Sequence, residues 1–86
     1  MPVWHSTIHL KPAIDIFKET GDVTRTAEAA VKIIEESGWL DDTPYPDTLR
    51  DHLNGLLQAQ TAPEYVNAFD LIYDVADDDR VWIETT

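Results

Sequence analysis

The two ends of the chain repeat with a period of two and the stretch between them with the period of a helix, and this contrast restricts the fold more than any other feature. From Val3 to Leu10, Trp4, Ser6, Ile8 and Leu10 fall on one side and Val3, His5, Thr7 and His9 on the other, the alternation of a strand with one buried face. Arg80 to Thr86 behaves alike: Val81 and Ile83 share one side, and Arg80, Trp82 and Glu84 the other. Pro12 closes the first strand because it lacks a ladder donor. Ala13 to Lys18 fits either a short strand continuation or one helical turn.

Three helices are expected between the strands. Val23, Ala27, Ala30 and Ile34, widened by Ile33, form the first stripe, after a cap at Asp22 or Thr24 and before a stop at Gly38. Trp39 and Leu40 can fold back on that helix end, and two prolines make Asp41 to Pro46 a loop. The second helix runs from about Asp47 to Ala59 on Leu49, Leu53, Leu56 and Leu57, with Gly55 leaving room for a close crossing. Thr61-Ala62-Pro63-Glu64 is a capping box with proline in the first turn. It opens the third helix, whose stripe is Tyr65, Ala68, Phe69, Ile72, Val75 and Ala76. Asp77, Asp78 and Asp79 should end it, since three acids oppose the negative end of the helix dipole. The expected fold is α+β, strand-helix-helix-helix-strand, in a single domain over residues 1–86. Its terminal strands pair antiparallel, and the three helices cover one face.

Charge narrows the function. The net charge is −11 and is unevenly placed. Up to Lys32 the bases Lys11, Lys18, Arg25 and Lys32 balance the acids Asp15, Glu19, Asp22 and Glu28; the whole excess lies beyond, where Arg50 and Arg80 are the only bases. Such a field repels nucleic acid and anionic membranes and attracts basic protein surfaces. The absence of cysteine favours a reducing compartment and removes thiol chemistry. The start MPVWHSTIHL lacks the basic region and long apolar run of a secretory leader, and no apolar stretch approaches the roughly 18 residues that span a bilayer.

No cluster has the form of an active site. His5 and His9 share a strand face but lack further converging ligands. His52 sits beside Asp51, but a general base also needs a nucleophile in reach, and no elbow motif surrounds Ser6 or Ser37, the only serines. Asp74, Asp77, Asp78 and Asp79 lack the alternate spacing, central glycine and closing glutamate of a calcium loop. Gly21 to Ala30 echoes the first helix of a helix-turn-helix, but no basic recognition helix follows. No cofactor is expected. Of Trp4, Trp39 and Trp82, the first and last fall on the two strands and can stack across them. Trp39 lies among Glu35, Glu36, Asp41 and Asp42, an aromatic ringed by acids that suits a basic, apolar-centred partner surface.

The run Glu64-Tyr65 to Phe69-Asp70-Leu71-Ile72-Tyr73-Asp74-Val75-Ala76-Asp77-Asp78-Asp79-Arg80-Val81-Trp82-Ile83 resembles small acidic uncharacterised proteins of tailed phages that infect actinobacteria. In them a pattern like F-D-x-I-Y-D-x-A-D-x-D-R-V-W-I closes the chain. Upstream, a helix ends in a tryptophan, here Trp39, before a leucine-bearing helix. The resemblance covers roughly Trp39 to Thr86 and is poor before Gly21. It implies a phage origin and the host bacterial cytoplasm, and it assigns no activity.

The leading expectation is a non-enzymatic protein that binds and modulates a host or defence protein. Its contact face would be acidic and centred on Glu35, Glu36, Trp39, Asp41 and Asp42, with Asp70 and Asp74 added from the third helix. One alternative is a nucleic-acid mimic whose carboxylates occupy a basic DNA-binding groove. Another is a structural homo-oligomer joined at a strand edge or an apolar stripe.

Overall fold

The computed structural model describes residues 6–86. The elements follow the order β1 (Ser6–His9), α1 (Lys11–Thr20), α2 (Val23–Glu36), α3 (Trp39–Asp42), α4 (Pro46–Leu57), α5 (Ala62–Asp79) and β2 (Val81–Glu84). Among the described residues the fold is α+β, with five helices where the sequence suggests three.

The strands pair parallel, not antiparallel, with Ile8 beside Ile83 and Thr7 beside Trp82. Leu10 N–H extends the ladder to the Glu84 carbonyl at 2.8 Å. Alternation determines which side of a strand is buried, but says nothing of its direction. Antiparallel pairing is the natural product of a short hairpin. Here the connection is the entire helical layer, which serves as the crossover that parallel strands require. The inward sides are as expected: Ile8, Leu10, Val81 and Ile83 are buried, while Thr7, His9 and Trp82 are exposed on the outer face. The suggested stacking of Trp4 on Trp82 lies outside the described residues.

Helix α1 resolves the ambiguous segment. Pro12 stands in its first turn, where the missing N–H would have no intrahelical partner, so the proline opens a helix as well as closing a strand. Gly21, at φ 67°, caps the helix by donating its N–H to the Phe17 carbonyl at 2.8 Å. Asp22 then opens α2 by accepting from the Arg25 N–H at 3.1 Å. Gly38, at φ 85°, turns the chain into the single turn α3, so part of the expected Asp41–Pro46 loop is helical. Around Gly55 nothing lies within 4 Å of where a Cβ would stand, so no helix crosses closely there.

Helix α5 has the full capping box: Thr61 Oγ1 accepts from the Glu64 N–H, and the Glu64 carboxylate accepts from the Thr61 N–H. It does not stop at the three aspartates but runs through Asp79. It ends at Arg80 in the left-handed conformation at φ 57°. Acids in the last turn cost roughly 0.3–1 kcal/mol each. Two contacts offset this: Val75 and Ala76 are buried, and Asp79 accepts the Trp39 indole N–H at 2.8 Å.

Helix α2 is the hub. It touches α1, α3, α4, α5 and β1, while α4 and α5 pack on each other and α5 lies against β2. One cluster, including Ile8, Leu10, Ile34, Leu49, Leu56 and Ile72, joins the helical layer to the inner side of the sheet.

Candidate functional site

The residues singled out from sequence do not converge on one face. Glu35 and Glu36 are exposed at the end of α2, and Asp41 and Asp42 are exposed on α3. Trp39, the expected centre of that face, is core: it is 4% exposed, and its indole N–H is held by Asp79. The reason is Gly38, whose left-handed turn folds α3 back so that the indole points inward. Asp42 joins Asp78 and Asp79 around a cleft of about 490 Å³ that also takes in Trp39, Ser6 and Ser37. Among the described residues, no group of three or more acids, histidines or cysteines is arranged to hold a metal ion. Asp70 and Asp74 are exposed on α5. Asp70 lines a different groove that shares no residue with the cleft.

That second groove is apolar, and sequence reading misses it. It is a trough between α1 and α5 made of two adjoining hollows of about 210 and 160 Å³. Both hollows are lined by Ile14, Tyr65 and Val66. Phe17, Val23, Thr26 and Ala62 complete the first, and Phe69, Asp70 and Tyr73 contribute to the second. Along α5 the aromatic rings form a row. Tyr65 and Phe69 have centroids 5.7 Å apart, and Phe69 meets Tyr73 edge-on at 5.0 Å. Val66 is 54% exposed, and Phe17 and Tyr73 are also exposed. The trough exists because α1 packs mainly on α2, leaving one side of α5 uncovered. The sequence does hold a signal for it: once Ala13–Lys18 is helical, Ile14 and Phe17 project together, and Val66 and Tyr73 lie off the buried stripe of α5.

Two sites of altered acidity frame the surface. Thr86 and then Trp82 donate hydrogen bonds to the Glu84 carboxylate, at 2.6 and 3.2 Å, and hold its pKa down at about 2. In the trough, burial and then the neighbouring Tyr73 push the Tyr65 hydroxyl from its ordinary 10.0 up to about 12. That hydroxyl is shut from water and has no hydrogen-bond partner among the described residues. An unsatisfied buried hydroxyl is unfavourable, so Tyr65→Phe should stabilise the fold by about 1 kcal/mol. The sign of the pH effect follows from the raised pKa. The folded chain holds this proton more tightly than the unfolded chain, so the titration leaves stability unchanged below pH 10.0 and lowers it as pH rises toward about 12. Urea midpoints followed from pH 9 to pH 12 by circular dichroism should therefore fall less steeply in the phenylalanine variant. Parallel curves would remove Tyr65 as the cause.

Comparison with known protein families, curated proteins and solved structures returns no match. Among the described residues no helix is long and apolar enough to cross a membrane.

Proposed function

We propose that this chain is a small acidic phage protein that binds and modulates a host or defence protein, acting as a docking module rather than an enzyme. The contact surface is the trough between α1 and α5, not the Trp39 region. The observation that supports this is the exposed apolar set Phe17, Val66 and Tyr73 along the trough, backed by half-buried Tyr65 and buried Phe69, with Asp70 in its lining. Apolar anchors supply affinity, and the net charge of −11 speeds encounter with a basic partner and disfavours wrong ones. A nucleic-acid mimic has no use for an apolar trough, and a homo-oligomer would bring two strongly negative surfaces together.

A photo-crosslinking side chain at Val66, compared with one at exposed Glu36, tests the proposal in actinobacterial cells. The expected result is one discrete adduct from position 66, competed away by the unmodified protein and absent from position 36. Adducts from position 36 alone, or from neither, would overturn it.

A further inference from the structure

We infer that the occupant of the trough is a partner helix carrying an apolar ridge and a basic flank; this rests on the docking function proposed above. The first argument is backbone satisfaction. Both walls are helical side chains, and the sheet reaches the trough only at one end, through Leu10 and Thr85. An extended peptide laid there would face apolar walls with its N–H and C=O groups unpaired, whereas a helix satisfies them internally. The second is spacing. Val66 and Tyr73, the exposed large apolar side chains of α5 in the trough, stand seven residues apart, a rise of about 10 Å that matches the two turns over which a docked helix presents its anchors. The two adjoining hollows receive successive anchors of one ridge.

The third argument is charge. Helix α5 carries no lysine or arginine, and Asp70, Asp74 and Asp77 recur on it at helical spacing, all exposed. On the α1 side Lys11 is paired with Asp15 at 2.9 Å and Lys18 is exposed in the last turn, so the acidic wall is that of α5 alone. The flank of the occupant that faces α5 is therefore basic. A second copy of this chain is a poor occupant, because it would set another set of α5 aspartates against the first.

The test uses three labelled peptides of roughly fourteen residues, about four turns each. One is a leucine–lysine peptide with helical patterning, the second its leucine–glutamate counterpart, and the third a leucine–lysine peptide of strictly alternating order. Fluorescence anisotropy reads affinity, amide chemical shifts read location, and circular dichroism reads peptide helicity. The helical leucine–lysine peptide should bind, become helical and shift the amides of Ile14, Phe17, Val66 and Tyr73. The leucine–glutamate peptide and the Val66→Glu variant should each weaken binding by about tenfold or more. Because Val66 is more than half exposed, Val66→Glu should keep its thermal melt. Asp70→Lys should weaken the lysine peptide and strengthen the glutamate one.

Equal binding of the lysine and glutamate helices, or preference for the alternating peptide, overturns the basic-helix inference. So does a lack of trough shifts with all three. In each of these cases the crosslink from position 66 still decides independently whether the trough docks a protein at all.

Discussion

Replacing Trp39 with alanine should remove about 3–5 kcal/mol of stability, a large share of the roughly 4–13 kcal/mol a chain of this length holds. The indole is 4% exposed and sits where α2, α3 and the end of α5 meet. Truncation loses its buried area and leaves a cavity that three separate elements would have to close together. It also deprives Asp79 of the N–H it accepts at 2.8 Å, and a hydrogen bond to a charged group contributes roughly 1.5–3 kcal/mol. Urea denaturation of the wild type, Trp39→Ala, Trp39→Phe and Asp79→Ala separates the two contributions. Trp39→Phe keeps most of the ring and should lose mainly the bond. A double-mutant cycle between Trp39→Phe and Asp79→Ala should show coupling of about 1 kcal/mol or more. A Trp39→Ala midpoint within error of the wild type would show that this side chain does not belong to the core.

Trp39 also shows where sequence patterns stop being informative. Helical stripes on α4 and α5, the capping box at Thr61 and the inward sides of both strands are local patterns, and the structure has them as the sequence suggests, except that Leu57, expected on the α4 stripe, is exposed. Each depends on residues within a turn or two of one another. A tryptophan among acids is different: the flanking Glu35, Glu36, Asp41 and Asp42 are exposed, yet the partner that holds its indole, Asp79, lies forty residues away. Strand direction is nonlocal too, since Ile8 and Ile83 alternate identically in either orientation. The trough is hidden for a related reason. It depends on α1 being a helix, and Pro12 reads equally as the end of a strand and the first turn of a helix. Asp70 stands out in the sequence by its charge, and it does reach the trough; its apolar companions Ile14, Phe17 and Val66 reveal a shared surface only once α1 is known to be helical.

The hub position of α2 leads to the second large effect. Its inward side buries small residues ahead of Val31 and Ile34: Ala27 and Ala30 are fully buried, and Thr26 nearly so, with its hydroxyl donating to the Asp22 carbonyl at 2.8 Å. Ala27 and Ala30 read in sequence as ordinary members of an amphipathic stripe. In the fold they let α1, α4, α5 and β1 gather around one helix, a crowding that larger side chains would prevent. Ala30→Leu should therefore destabilise by about 1–3 kcal/mol or more, even though it adds apolar area and leucine is nearly as good a helix former as alanine. Exposed Glu28→Leu on the same helix is the control, because a leucine placed there without enclosure should stay within about 0.5 kcal/mol of the wild type. Thermal melts of the two variants decide the matter. A large loss at position 30 alone identifies steric exclusion at the hub, and equal behaviour would mean that α2 has room to spare. The same experiment bears on function: if α1 is displaced from α2, the trough between α1 and α5 changes width. Ala30→Leu should then weaken the helical leucine–lysine peptide even at temperatures where the variant is still folded.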